Sequence, residues 1–199
     1  GNSRSAVASV VVTQLPDVTN TSAWQLLNNP GANAVVTIGE PDRDGGLRVV
    51  EHRWLQAVDA ATLAKRVAKV LGEWRSERTV AEDRSGAGDG FRSLLHQSVG
   101  LAPIVWVTAD KGKDAERLSG LLAAIHTGHV TIYRGDGSTE HRMLRQELQA
   151  ASVTYDPDGL LQVGMPAGDE GFLRGLTLIV RTGTITRRLR EIAETPLAS

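Results

Sequence analysis

Cysteine is absent from all 199 residues, which excludes disulfides and thiolate metal sites together. Long apolar runs are missing too. None approaches the roughly 18 residues of a membrane span, and no signal-peptide pattern opens the chain. A surplus of either charge is also lacking: 22 Lys and Arg stand against 23 Asp and Glu, for a net charge of −1. Without a global basic field the chain does not advertise nucleic acid, although an acidic site would cancel basic residues elsewhere. The phosphate-loop pattern GxxxxGK followed by Ser or Thr occurs nowhere. SGAGDGF (85–91) has the glycines without the lysine, and Phe91 replaces the last glycine of GxGxxG. No GxSxG elbow supports a Ser-His-Asp triad. Of His52, His96, His126, His129 and His141, only His126 and His129 are close in sequence, and they straddle Gly128, so all five read as ordinary surface or helix-end residues.

What is present is one domain's worth of core, 41% hydrophobic residues in a chain that is expected to be a single domain over 1–199. Gly1-Asn2-Ser3 reads as a tag scar or the edge of an excised domain, and a soluble, cytoplasmic protein fits the composition. ASVVVTQL (8–15), AVVTIGE (34–40) and LRVVEHRWL (47–55) read as three strands, the last two joined by the turn cluster PDRDGG. Asp59 is placed to cap a helix reaching Trp74, with Leu63, Val67, Val70 and Leu71 in one stripe. A strand over 78–83, a helix over 89–97, a strand over 103–109, a helix over 114–126 and a strand over 129–134 follow. A helix over 138–151, a small hairpin over 153–163 and a helix from Asp169 complete the chain. Three strands followed by alternating helix and strand predict an α/β domain with a mixed sheet flanked by helices. Short turns make strands one to three antiparallel, while the helix over 59–74 supplies the crossover that lets strand four pair with strand one in parallel.

Carboxylates gather at the ends of these elements. Asp17 follows strand one, Glu82 and Asp83 close strand four in VAEDRSGAGDGF (80–91), and Asp169-Glu170 precede the last helix. Oxygen-only ligands suit Mg2+ or Mn2+, and two such ions about 4 Å apart activate a water and stabilise the leaving oxygen of a phosphodiester. The same acids also read as solvated residues or helix caps. Neighbouring strand residues alternate in face, so Glu82 is the better ligand and Asp83 or Glu170 the reserve.

Order and spacing add to this. VAEDRSGAG (80–88) resembles a strand ending in an acid with a glycine-rich turn. VTADKGKDAER (107–117) is similar to a strand, a Gly-Lys pair and an arginine on the next helix. LLAAIHTGHV (121–130), LRQEL (144–148) and GDEGFL (168–173) follow in matching order. Together, from about Val80 to Arg181, they resemble the ribonuclease H-like C-terminal nuclease domain of phage large terminase subunits.

That resemblance implies a metal-dependent endonuclease that cuts concatemeric duplex DNA with two Mg2+ or Mn2+ ions held by Asp17, Glu82 and Asp169. Lys111, Lys113 and Arg117 would contact DNA, with Arg181, Arg187, Arg188 and Arg190 as a second basic group, and both groups also read as solvated faces. The implied partners are the terminase ATPase domain, small terminase and portal, in the host-cell cytoplasm, with no membrane. Two departures stand out. The family's first acid lies within strand one, where this chain has Gln14 near that position and Asp17 as the nearest acid. The last motif, usually Asp-Asp-x-x-Asp-Ala, ends here in Arg174-Gly175. Either Asp17 is the first ligand with a shifted strand end, or the metal site is partly degraded. A catalytically inactive docking module of a packaging motor and a small-molecule α/β enzyme are the competing readings.

Overall fold

The computed structural model describes residues 6–16, 31–42, 44–86, 89–100, 102–155, 157–159, 161–166, 168 and 171–181. Its frame is a six-stranded sheet in the order β5-β4-β1-β2-β3-β6. These strands are β1 (Ala6–Gln14), β2 (Ala32–Pro41), β3 (Leu47–Ala57), β4 (Ser76–Asp83), β5 (Ile104–Val107) and β6 (Val130–Ile132). β1, β2 and β3 pair antiparallel, while β4 joins β1, β5 joins β4 and β6 joins β3 in parallel. Every strand except β2 therefore runs the same way, and the carboxyl ends of β1, β4 and β5 share one end of the sheet. This is the mixed sheet the turn signals predict, with strand four on strand one.

Helices α1 (Ala60–Glu73), α2 (Gly90–Val99), α3 (Lys111–His126) and α4 (Thr139–Ala150) alternate with the later strands. A small hairpin of β7 (Ser152–Tyr155) and β8 (Leu161–Gly164) follows. The last described helix, α5, covers 172–181. Local chemistry sets the starts of three helices. The Asp59 carboxylate accepts from Thr62 N–H at 2.6 Å, Asp110 from Gly112 N–H at 2.9 Å, and Ser138 from His141 N–H at 3.1 Å. The Asp110 cap starts α3 three residues earlier than the apolar stripe alone suggests.

Both sheet faces are covered, which explains why β1 and β2 read as nearly unbroken apolar runs. On one face Ala8, Val10 and Val12 of β1 and Ala34 and Val36 of β2 meet Leu63 and Val67 of α1 and Phe91 and Leu95 of α2. On the other, Val7, Val35 and Val49 meet Leu118 and Leu121 of α3 and Phe172, Leu173, Leu176 and Ile179 of α5. α5 lies close on the middle strands. The Ser9 hydroxyl donates to Gly175 C=O at 2.7 Å, and a β-carbon at Gly175 would overlap the Thr37 hydroxyl. Among the described residues no helix is long and apolar enough to cross a membrane.

Candidate functional site

The carboxyl end of β4 carries Glu82, only 1% exposed. Alternation turns Val80 and Glu82 toward α5, where Val80 packs with Val11 and Leu178. Asp83 shares the opposite face, and its carboxylate accepts from Ser85 N–H at 2.9 Å and Ser85 O–H at 2.6 Å, holding the turn after the strand. Asp83 is thus spent on local backbone geometry.

Glu82 is surrounded by guanidinium groups. Its Oε1 lies 3.4 Å from Arg117 Nη1 on α3 and 3.5 Å from Arg84 Nη1 just beyond the strand. Asp114, one helical turn before Arg117, accepts from Arg174 Nη1 on α5 at 2.8 Å, with both side chains buried. Arg117 Nη1 also lies 3.9 Å from Asp114 Oδ1, which joins the two pairs into one network. Burial pushes the Glu82 carboxyl above its ordinary value, and Arg117, Arg84 and Arg174 oppose that shift. Glu82 Oε2, Asp114 Oδ1 and Arg117 Nε have no hydrogen-bond partner within this cluster.

A further carboxylate orients α5. Glu147 Oε2 on α4 accepts from Leu173 N–H at 2.7 Å, where free N–H groups and the helix dipole favour negative charge. Arg174 is the next residue, so this contact helps fix where its guanidinium meets Asp114.

The residue on β1 in register with Glu82 is Val11, fully buried, rather than Gln14. Gln14 is exposed beyond a register shift between Val12 and Gln14. Gly171, at φ +99°, precedes α5, and a β-carbon there would lie 3.0 Å from Val11 and 3.2 Å from Thr13. No acid of β1 stands in the row beside Glu82. Asp17, Asp169 and Glu170 lie outside the described residues. Of the DNA-contact candidates, Lys113 is well exposed with its ammonium 4.0 Å from Asp110, whereas Arg117 points inward to Glu82 and Asp114. Lys111 opens α3.

The described residues do not fit a divalent metal. Three guanidiniums meet two carboxylates, and a dication brought to Glu82 would be repelled by Arg84 and Arg117, which already stand 3.5 and 3.4 Å from its Oε1. Among the described residues no group of three His, Asp or Glu forms a metal-binding cluster. The sequence reading missed Asp114 and Arg174 as centre residues. Arg174 did leave a signal, as a lone cation in the apolar run FLRGLTLIV (172–180).

No protein-family profile and no curated protein matches this chain. Solved structures do. The nuclease domain of the large terminase subunit gp2 of bacterial virus Sf6 aligns with TM-score 0.56 at 12% identity, over 88% of this chain and 87% of that one. The large terminase nuclease of thermophilic phage G20c with bound cobalt aligns with TM-score 0.58 at 13% identity, over 88% and 81%. The large terminase nuclease domain of Thermus phage P74-26 gives 0.52 at 11%, over 87% and 77%. Structures of these phage domains also hold magnesium, manganese or calcium. The fold is the ribonuclease H-like fold of phage large terminase nuclease domains.

Proposed function

We propose that this chain is the nuclease-fold module of a phage-type DNA-packaging machine, and that it docks duplex DNA and packaging partners rather than cutting. One observation carries this reading: Glu82, at the carboxyl end of β4, is ion-paired to Arg117 and Arg84 beside Val11, and among the described residues the nearby carboxylate Asp114 is itself paired to Arg174. A nuclease of the two-metal kind needs excess negative charge to gather its ions. Here the buried charge is balanced by arginines, so the centre holds α3, α5 and β4 together. The fold shared with terminase nuclease domains supports DNA as the partner in a terminase context, and the sequence resemblance adds an ATPase domain, small terminase and portal as the proposed neighbours. Lys111 and Lys113 at the start of α3 supply phosphate contacts, which position without reading sequence.

A second reading has its own support. The chain enters α5 through Gly171, which lies against Val11 and Thr13, one strand from Glu82. Asp169 and Glu170 immediately precede it in sequence. In that reading Asp17, Glu82 and Asp169, with Asp83 and Glu170 in reserve, hold two Mg2+ or Mn2+ ions and cut DNA. Supercoiled plasmid incubated with Mn2+ or Mg2+ separates the two. The docking reading expects the plasmid to bind and remain supercoiled. Nicking that disappears in Glu82→Gln and Asp169→Asn establishes the endonuclease instead.

A further inference from the structure

A groove of about 660 Å3 runs beside α3 and borders the acid centre at Arg117. Its volume is that of a small-molecule site, within the ~300–1,000 Å3 typical of such pockets. Lys113 and Arg117 line it from α3, and Arg181 lines it from the end of the described α5. Arg117 is engaged by Glu82 and Asp114, which leaves Lys113 and Arg181 as the outward cations, and among the described residues the lining offers one carboxylate, Glu116. Cations of one sign in a concave, partly apolar wall concentrate positive potential. Among the described residues Lys113 has a marginal partner in Asp110 at 4.0 Å, so its exposed ammonium keeps hydrogen-bonding capacity for a ligand.

The rest of the wall is different in kind. Leu47, Val130 and Val180 make an apolar floor, with Thr127 and Thr177 beside them, whose hydroxyls donate to the Ala123 and Arg174 carbonyls. A bare inorganic anion would use the cations and leave that floor wet. A ligand with a phosphate at one end and a flat, largely apolar body would satisfy both.

We propose that this groove binds one nucleotide unit, its phosphate on Lys113 and Arg181 and its base on the Leu47–Val130–Val180 floor. The chemistry comes from two sources, a free mononucleotide or a nucleotide within DNA. With DNA as the source the inference rests on the docking reading above. With a mononucleotide it stands without it.

Calorimetric titration of the full chain with deoxyadenosine monophosphate, inorganic phosphate and a short DNA duplex tests this. Losing one charge-assisted phosphate contact corresponds to about a 10- to 100-fold weaker Kd. The nucleotide, the duplex or both should bind more tightly than inorganic phosphate. Arg181→Ala and Lys113→Ala should each weaken that binding by about tenfold or more, while Arg142→Ala on exposed α4 leaves it unchanged. Tight mononucleotide binding identifies the free ligand, and binding of duplex alone identifies the DNA strand. Affinity no better than for inorganic phosphate, or insensitive to both groove substitutions, overturns the assignment. Plasmid nicking in Mn2+ would overturn the docking reading and leave the groove result standing. Unchanged melting curves for the variants confirm that they fold.

Discussion

At the scale of single residues, the molecule places ionisable groups where burial forces a choice of protonation or partner. His52 on β3 is 3% exposed, with Nδ1 3.3 Å from the Tyr133 hydroxyl and Nε2 without a hydrogen-bond partner among the described residues. Burial, then the charge of His141, lowers its pKa from 6.5 to about 3. The folded chain thus refuses a proton that the unfolded chain accepts below pH 6.5. Stability should fall as pH drops from 6.5 toward 3 and level off below, because the unfolded state binds more protons in that window. Each pKa unit is worth about 1.4 kcal/mol, so this residue should cost about 2–3 kcal/mol between pH 7 and 4.5. Glu82, whose carboxyl is raised by burial, works in the opposite direction: the folded state takes up its proton first, so acid partly offsets the loss. Urea unfolding at both pH values should therefore show a flatter pH dependence in His52→Leu than in the parent chain. An unchanged dependence would remove His52 from the account.

The pair Asp114–Arg174 makes a second residue-scale prediction. Removing one member of a buried ion pair leaves an uncompensated charge and costs about 3–5 kcal/mol, whereas replacing both with apolar residues is often close to neutral. Arg174→Leu should lower the urea midpoint strongly, and Asp114→Leu/Arg174→Leu should recover most of the loss. A double variant as unstable as the single one would show that the arginine acts by some route other than this pair.

At the scale of elements, helix α5 is the organiser. It crosses β1 and β2 at Gly175, where the Ser9 hydroxyl meets its backbone and Thr37 occupies the space of a β-carbon. Gly175→Ala should be destabilising by about 1–3 kcal/mol, the usual cost of overpacking a filled core. Thr37→Ala should relieve part of that loss in the double variant, a coupling that thermal or urea unfolding of the four proteins measures. Glu147→Ala removes the carboxylate from the start of α5 and should cost about 1–3 kcal/mol, since a buried N–H loses its acceptor.

Much of this scale was legible beforehand. The Asp59 cap and the 3.6-residue stripe of α1, the turn residues between β2 and β3, and the crossover to β4 are local chemistry, and the structure follows them. What sequence could not supply was the alignment of β1 with β4. Alternation showed that Glu82 and Asp83 face apart, but only the register brings Val11 beside Glu82. The Glu82–Arg117 contact spans 35 residues and the Arg174–Asp114 contact 60, so no local periodicity announces either. An acid read alone as a metal ligand is read differently once its counter-ions are visible.

At the scale of the whole molecule, the frame that sets Glu82 at the end of β4 also gathers Arg84 and Arg117 around it. The fold matches that of terminase nuclease domains whose structures hold divalent ions, while the described centre of this chain balances its acids internally. The direct test is the melting temperature of the full chain with Mn2+ titrated against an EDTA control. A metal that binds the folded state stabilises it by mass action, by about 2.7 kcal/mol at a hundredfold excess over Kd. The closed, arginine-balanced centre predicts the same melting temperature at every Mn2+ concentration, for the parent chain and for Glu82→Gln alike. A rise with Mn2+ in the parent that Glu82→Gln abolishes would contradict it.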